Sequence, residues 1–222
     1  MNAARVRHHD HDLDPATLHT PEFWDDRYGS TEALWSGRPN QRLVEHVSGL
    51  TPGTALEIGC GEGADAIWLA QQGWTVTAVD VSKVALERAA GHAAEADPVA
   101  AQRITWRQQD LREWAPEPAS YDLVTEHFLH LPSALRVPQH ARLAAAVRPG
   151  GTLLIVGHHP GDNETLQRPH PDDLFFTPED EASRLSADDW DVSATSPTRP
   201  ARDPDGNEIV LTDAVVCAVR RG

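Results

Sequence analysis

The chain has 222 residues, 40% of them hydrophobic and 24% charged, a balance typical of one soluble globular domain with a full-sized core. Its formal net charge of −15 repels phosphate backbones and anionic lipid, which argues against nucleic acid and membrane surfaces as partners. No apolar run approaches the roughly 20 residues that span a bilayer, and the polar N-terminus lacks a signal-peptide stretch, so the sequence predicts a cytoplasmic protein.

The N-terminal residues 1–20 mix histidine, aspartate and proline without periodicity, which predicts a flexible arm. Within this arm, His8, His9 and His11 are an alternative metal site, because imidazoles at short spacing are good ligands. Neither a cysteine nor a patterned second shell supports such a site. The flexible arm is therefore the favoured interpretation.

Two helices are predicted ahead of the first strand. The segments Glu22 to Gly29 and Gln41 to Val47 place their aromatic or apolar side chains at helical spacing. Between them, Trp35 to Asn40 is rich in helix breakers and predicts a loop. We expect residues 21–50 to form a helical cap on the domain.

From residue 51 onward, apolar strands and helices alternate at the spacing of βαβ units. The predicted strands are Thr54–Ile58, Trp74–Val79, Ile104–Gln108, Tyr121–Glu126 and Thr152–Val156. The predicted helices are Ala64–Gln72, Lys83 to about Ala94, and Gln139–Val147. Near-continuous apolar strands indicate a parallel sheet covered on both faces. The pattern predicts a doubly wound, Rossmann-like α/β fold with its core over residues 51–160.

The tail follows a different pattern, because no helix separates its last two predicted strands, Trp190–Ala194 and Glu208–Val219. The turn-rich segment Pro197–Asn207 joins them, which predicts an antiparallel hairpin. We expect residues 161–222 to complete the sheet at one edge, so that residues 21–222 form a single domain.

A glycine-rich turn, Glu57 to Gly63, joins the first strand to the helix that follows. Its glycines allow a ligand to approach the backbone closely. The glycines alone also fit a dinucleotide site, since Gly59, Gly61 and Ala64 satisfy that fingerprint and Asp80 lies where its ribose-binding acid is expected. A nicotinamide or flavin enzyme is therefore one alternative.

Carboxylates around the turn favour a sulfonium nucleoside instead. Glu57 at the strand end attracts an amino group and a sulfonium but repels a pyrophosphate. Glu62 adds negative charge beside the helix N-terminus, where a pyrophosphate would bind. After the third strand, Asp110 is placed to accept from an adenine amino group, with the apolar Leu111 beside it.

These motifs resemble those of class I S-adenosylmethionine-dependent methyltransferases, in order and spacing, over about residues 30 to 160. The matching segments are Ala55–Gly63, Val76–Asp80, Gln109–Leu111, Tyr121–Val124 and Arg148–Leu153. Within that family, Phe23-Trp-Asp-Asp-Arg-Tyr28 and the downstream Trp35 are similar to the beginning of the thiopurine and tellurite-resistance branch.

The resemblance implies S-adenosylmethionine as the cofactor, held first by the glycine turn that ends at Gly63. It places the methionyl part against Gly59 and Gly61, with Glu57 near the amino group. It assigns the ribose hydroxyls to Asp80.

For the adenine, the resemblance implies contact with Val81, a hydrogen bond to Asp110, and the Leu111 backbone beside the ring. His127, directly after the fourth strand, would contact the cofactor through its backbone and face the acceptor.

Histidines follow the fourth and fifth predicted strands, and we take His127, His130 and His158 as the catalytic candidates. An imidazole there accepts a proton from a phenol, amine or thiol near neutral pH. Methyl transfer is an in-line displacement on an activated donor, so a base is needed only for an acceptor that carries a proton. For His130, and for one of His158 and His159, an ordinary polar position is the alternative. A metal site built from all four lacks a ligand pair on one helix.

The cap supplies candidates for an acceptor pocket or lid, namely Trp24, Tyr28, Trp35 and Arg38. The alternative for the aromatic residues is ordinary core packing, and for Arg38 a surface position.

The sequence thus predicts a methyltransferase that acts on oxygen, nitrogen or sulfur of a small molecule, as a monomer or homodimer. A module that binds the cofactor without catalysis is the alternative. A nicotinamide oxidoreductase is less favoured, because it requires a substrate domain or a Tyr/Lys pair and the chain's one lysine, Lys83, lies in a crossover helix.

Overall fold

The apolar runs after residue 51 form strands in the computed structural model, which describes residues 20–31, 33–162, 172–203 and 206–222. The strands are β1 (Thr54–Ile58), β2 (Thr75–Asp80), β3 (Ile104–Gln108), β4 (Tyr121–His127), β5 (Val147–His158), β6 (Trp190–Thr195), β7 (Thr198–Arg202) and β8 (Glu208–Arg220). The helices are α1 (Pro21–Gly29), α2 (Gln41–Val47), α3 (Ala64–Gln71), α4 (Lys83–Ala96), α5 (Pro98–Ala101), α6 (Ser133–Ala146) and α7 (Pro178–Ala182). The predicted arm, with its histidine cluster, lies outside the described residues except for Thr20.

The central sheet has the strand order β3-β2-β1-β4-β5-β8-β6. Strands β1 to β5 are parallel, whereas β8 runs antiparallel to β5, β6 and β7. The prediction of a doubly wound, mostly parallel sheet with antiparallel strands at its C-terminal side is confirmed. The chain leaves β1 toward β2 on one side and later returns to β4 on the other, so a crevice opens where β1 and β4 end, as is usual for ligand sites of such sheets.

Side chains along each strand alternate between two apolar cores. Leu69 and Trp74 belong to the core on the α3 face, and Leu143 and Phe176 belong to the core on the α6 face. A fully buried leucine contributes about 1.5–3 kcal/mol, so both faces stabilise the sheet. On β4 the same alternation directs Glu126 toward α6 and His127 toward α3.

The helical cap is tied to the beginnings of two crossover helices. Asp25 of α1 accepts hydrogen bonds from the Ser82 hydroxyl at 2.6 Å and from the Val84 N–H at 3.2 Å, at the start of α4. Asn40, which caps α2, donates its N–H to Asp65 in the first turn of α3 at 2.6 Å. The cap therefore lies against the helix N-termini beside the crevice.

The helix before β5 is longer than the sequence predicts. The predicted range is Gln139–Val147, but α6 begins at Ser133, and Val147 is already the first residue of β5. Pro138 lies inside the helix, where it removes one backbone N–H and disfavours a longer prediction. The buried guanidinium of Arg136 donates to the Leu131 carbonyl just before α6 and to the Asp173 carbonyl, and so ties the first turn of α6 to a distant segment of the chain.

The predicted antiparallel pairing of the two tail strands is found between β6 and β8, but the segment Pro197–Asn207 that joins them also contains β7, which the sequence did not reveal. Strand β8 is 13 residues long, and β5 and β6 pair with its second half only. Its first half gains partners from β7, in a ladder that runs from Thr198 opposite Thr212 to Arg202 opposite Glu208. The proline inside β7 interrupts the local pattern by which a strand is predicted.

Within the described ranges, no helix has both the length and the apolar character needed to cross a bilayer.

Candidate active site

The glycine turn bends through left-handed backbone conformations between β1 and α3. Gly59, Gly61 and Gly63 have φ values of +67°, +50° and +87°. A Cβ on Gly63 would lie 2.8 Å from both the Ala89 Cβ and the Trp106 ring, so this glycine is required for α3 to pack. A Cβ on Gly61 would lie 2.9 Å from the Tyr28 hydroxyl. The turn therefore presents its backbone directly to the cap.

Glu57 is the most unusual acid of the site, because it is only 3% exposed at the end of a buried strand. It accepts a hydrogen bond from the Ala66 N–H, while its Oε2 is buried without a hydrogen-bond partner among the described residues. Burial raises the pKa of this carboxyl well above its ordinary value, and the charges of Asp65 and Asp80 add to the shift. An unsatisfied buried oxygen beside two further carboxylates fits a ligand that carries a positive amino group.

Asp80 connects the end of β2 to the glycine turn. Its carboxylate accepts from the Gly61 N–H at 2.8 Å and from the Ser82 N–H at 2.9 Å. Burial raises the pKa of Asp80 although backbone hydrogen bonds oppose the shift. These two bonds orient the carboxylate, which retains lone pairs for the ribose hydroxyls that the sequence assigns to it.

A cavity lies beside the ends of β2 and β3. Its apolar lining is formed by Trp24, Val81, Leu111, Leu129, Leu131 and Leu135. Asp110 and Arg112 line the same cavity and form a bidentate pair, with Arg112 Nε 2.9 Å and 3.0 Å from the two carboxylate oxygens. The hydrogen bonds from Arg112 lower the pKa of Asp110 and keep it ionised. The combination fits a flat, apolar ring with an exocyclic amino group, and Arg112 is a participant that the sequence did not reveal.

Glu62 has a different role from the one that the sequence suggests. Its carboxylate accepts from the backbone N–H groups of Leu34 and Trp35, both at 3.1 Å, and pairs with the Arg88 guanidinium at 3.1 Å. Arg88 therefore compensates the charge of Glu62, and the carboxylate anchors the cap loop. Glu57 rather than Glu62 is therefore the carboxylate that would repel the pyrophosphate of a dinucleotide.

Three of the four candidate cap residues lie at the site, and Arg38 lies outside it. The Tyr28 hydroxyl accepts from the Trp35 indole N–H at 2.9 Å, directly over Gly61. Tyr28 is buried, which raises its pKa, whereas Trp35 remains 54% exposed. Trp24 lines the cavity described above. Arg38 is exposed, and its guanidinium makes no hydrogen bond to any part of the chain that the structure describes.

His127 ends β4 and forms an ion-pair geometry that the sequence did not reveal. Its Nδ1 lies 2.8 Å from Oδ2 of Asp65, the second residue of α3. The next residue, Phe128, has a φ of +53°, a strained value for an aromatic residue, and donates its N–H to the Val156 carbonyl at 2.7 Å. The sequence does show an acidic residue, Asp65, in the first turn of the helix after the glycine turn. It does not show that the partner of this acid is His127, which lies 62 residues away.

The other histidines pack differently. The rings of His130 and His158 stack with centroids 4.9 Å apart and planes 9° apart, and Phe175 contacts both. His159 instead accepts from the Gly161 N–H through Nδ1 at 3.0 Å. The structure thus brings His130 and His158 together in an aromatic cluster and separates His159 from them. Over the described ranges, no group of three or more His, Cys, Asp or Glu residues is arranged to hold a metal ion.

On the opposite face of β4, a buried ionic network surrounds His140. Its ring nitrogens lie 2.9 Å from carboxylate oxygens of Glu126 and Glu181. Gln139 donates to Glu126 at 2.8 Å, and Arg136 donates to Glu181 at 3.0 Å. Burial alone would lower the pKa of His140, but the two carboxylates raise it to about 9. The sequence did not reveal this network, although Gln139 also lines the cavity beside Asp110.

Comparison with known proteins finds related methyltransferases. Residues 55–151 match the family described as a methyltransferase domain. A 2-heptyl-1-hydroxyquinolin-4(1H)-one methyltransferase from Mycobacteroides abscessus is 26% identical over 180 residues, 78% of this chain and 74% of that protein. A ubiquinone biosynthesis O-methyltransferase from Vibrio parahaemolyticus is 36% identical over 116 residues, 51% of this chain and 47% of that protein. The chain thus spans about half the length of this second relative.

Solved structures share the fold over most of the chain. A structure described as "Conversion of a Disulfide Bond into a Thioacetal Group during Echinomycin Biosynthesis" has a TM-score of 0.71 and 21% identity, covering 90% of this chain and 92% of that one. TehB from Haemophilus influenzae has a TM-score of 0.67 and 19% identity, covering 91% and 67%. At these identities the likeness shows the fold, and the assignment to the tellurite-resistance branch stays a prediction. The match over residues 55–151 and the fold shared with these structures show that the chain has the fold of class I S-adenosylmethionine-dependent methyltransferases.

Proposed function

We propose that the chain transfers the methyl group of S-adenosylmethionine to an oxygen, nitrogen or sulfur atom of a small-molecule acceptor. The observation that carries this proposal is the buried, unpaired Oε2 of Glu57 beside Asp80 and the glycine turn. A carboxylate cluster of this kind attracts the amino group and sulfonium of the cofactor and repels the pyrophosphate of a dinucleotide. The related methyltransferases named above support a small acceptor, because one name specifies a hydroxyquinolinone and the other an O-methyl transfer.

Each part of the cofactor has a candidate partner in the chain. Glu57 and the backbone at Gly59 and Gly61 would hold the methionyl part, and Asp80 the ribose hydroxyls. The apolar cavity with Asp110 and its neighbours Val81 and Leu111 would hold the adenine. When bound, S-adenosylmethionine supplies a methyl group already activated by its sulfonium.

The protein's own contribution is to bind, align and exclude water, as in-line transfer requires. The Tyr28–Trp35 pair covers the turn at Gly61 and restricts the approach from the cap. His127, at the end of β4, is the candidate nearest to the crevice for accepting a proton from the acceptor. The net charge of −15 favours a neutral or cationic acceptor.

Calorimetry with S-adenosylmethionine, S-adenosylhomocysteine and NADH tests the donor. We expect both adenosyl ligands to bind at one site per chain and NADH not to bind. Glu57→Gln should weaken S-adenosylmethionine binding at least tenfold, because it removes negative charge next to the cofactor amino group. Glu179→Gln, an exposed change in α7, is the matched control and should leave binding unchanged. NADH binding without adenosyl-ligand binding would contradict the proposal.

Turnover on phenols, thiols and amines then tests the acceptor class. We expect methylation within at least one of these panels. Cofactor binding without turnover on any of them would favour a non-catalytic module.

A further inference from the structure

The contact between Asp65 and His127 fixes one side of an imidazole ring in the crevice. Nδ1 of His127 lies 2.8 Å from Oδ2 of Asp65, and the two side chains are 6% and 13% exposed. The other oxygen of Asp65 accepts the Asn40 N–H at 2.6 Å. A carboxylate only accepts hydrogen bonds, so Nδ1 of His127 is the donor. The tautomer and the ring orientation of His127 are therefore set by Asp65.

The other side of the ring is buried. Nε2 of His127 is buried and has no hydrogen-bond partner anywhere in the described ranges. Leaving such a nitrogen unsatisfied costs about 1–3 kcal/mol, so the arrangement is stabilised by a ligand that donates a proton or hydrogen bond there. Because Nδ1 carries the ring proton in the neutral tautomer, Nε2 offers a lone pair.

The position of this pair matches the expected place of the acceptor. His127 ends β4, whose neighbour β1 ends at the glycine turn, and Asp65 follows that turn directly in α3. Asp65 is near enough to Glu57 for its charge to act on that carboxyl. The pair therefore borders the methionyl end of the candidate cofactor site, where methyl transfer would take place.

We propose that Asp65 is a positioning residue that holds His127 as the proton acceptor for a weakly acidic hydroxyl group, such as a phenol or an N-hydroxyl. This inference rests on the proposed methyl-transfer function. A hydroxyl of this kind keeps its proton near pH 7, since a phenol titrates near 10. Its proton must therefore leave as the new bond forms, which gives a correctly oriented base a role.

The step balances without a further reactant. A lone pair of the acceptor oxygen forms the bond to the methyl carbon while the carbon–sulfur bond breaks, and that electron pair stays on sulfur, which becomes a neutral thioether. The hydroxyl proton moves to Nε2 of His127. The resulting imidazolium is stabilised by the carboxylate of Asp65 and afterwards releases its proton to solvent.

The kinetic test compares acceptors of different acidity at pH 7, with phenol as a neutral probe and pentafluorophenol as one that is already ionised. For Asp65→Asn and His127→Gln, we expect kcat on the neutral acceptor to fall about 100-fold, within the range typical of general base catalysis. On the ionised acceptor the fall should be less than about threefold, because no proton has to be removed. Equal losses on both acceptors would overturn the proposal and indicate a purely structural role.

Two controls separate this inference from the proposed function. Asp180→Asn in α7 and His46→Gln in α2, both away from the crevice, should leave both rates unchanged. S-adenosylhomocysteine should still bind to both dyad variants at one site per chain, as it does to the unaltered protein. If the unaltered protein does not bind it, the proposed function fails, whereas normal binding with equal losses contradicts the dyad alone.

A spectroscopic measurement on the unaltered protein needs neither a variant nor an acceptor. Ring ¹⁵N chemical shifts of His127, with S-adenosylhomocysteine present, should show the proton on Nδ1 and a lone pair on Nε2. Asp65→Asn should shift that distribution. A proton located on Nε2 in the neutral ring of the unaltered protein would overturn the proposal.

Discussion

The buried network around His140 makes the stability of the domain depend on pH in a specific direction. His140 lies between Glu126 and Glu181, and these carboxylates raise its pKa from the ordinary 6.5 to about 9 despite its burial. The folded state therefore holds this proton more tightly than the unfolded chain. Its stabilising contribution is fully present below pH 6.5 and is lost as the pH rises through 9.

The size of the effect follows from the difference between the two pKa values. A shift from 6.5 to about 9 corresponds to about 3 kcal/mol in total, of which roughly 2 to 3 kcal/mol is still present at pH 7. Gln139 belongs to the network and also lines the cavity next to Asp110. Loss of the His140 proton should therefore loosen the cofactor cavity as well as destabilise the fold.

Urea unfolding at pH 7, 8, 9 and 10, together with NMR titration of the His140 ring, measures both quantities. We expect the His140 proton to contribute a decrease of about 2 to 3 kcal/mol in the free energy of unfolding from pH 7 to pH 10, in step with its titration. The thiols of Cys60 and Cys217, whose pKa values burial raises, should add to this decrease above pH 9. His46→Gln in α2, outside the network, should show the same decrease as the unaltered protein. A His140 ring that titrates near 6.5, or stability that does not change across this range, would refute the reasoning.

Other predictions concern the cofactor site. Asp80→Ala should weaken S-adenosylhomocysteine binding at least tenfold by calorimetry, because it removes the ribose partner and the acceptor of the Gly61 N–H; unchanged affinity would place the ribose elsewhere. Gly63→Ala should destabilise the domain by about 1–3 kcal/mol more than Gly150→Ala in urea unfolding, since both have positive φ but a Cβ meets neighbours within 3 Å only at Gly63. Arg112→Ala should raise the pH below which adenosyl ligands no longer bind, because Arg112 lowers the pKa of Asp110. An unchanged pH profile of binding would show that Asp110 does not bind the adenine.

The parts of the fold that the sequence predicts are those specified by neighbouring residues. The strand that ends at Ile58 and the turn that follows are encoded by an apolar run and three closely spaced glycines, so their positions were predicted correctly. The doubly wound, mostly parallel sheet follows from the βαβ alternation, because right-handed crossovers leave few arrangements. The strand β7 escaped prediction because its pairing partner is the extension of β8, and Pro200 interrupts the local pattern.

Partners that lie far apart in sequence account for most of what was missed at the site. Glu62 contacts Leu34 and Arg88 across 28 and 26 residues, and this pairing removes it from the electrostatic argument in which the sequence had placed it. Neither contact produces a periodic pattern in the sequence, and a single acidic residue beside a helix N-terminus has many possible partners. Only the folded chain distinguishes an acid that anchors a loop from one that faces a ligand.

The same distinction explains why the donor is easier to infer than the acceptor. The proposed donor site lies where consecutive strands end, so the positions of Glu57, Asp80 and Asp110 can be read from the ends of the predicted strands. Of these, Glu57 carries the most information, because a buried carboxyl with an unsatisfied oxygen among the described residues and two acidic neighbours is costly until a cation arrives. No comparable sequence feature identifies the residues on the acceptor side. In our proposal it is defined by the pairing of His127 with an acid from another element, so comparing acceptor hydroxyls of different acidity is the test of this half of the site.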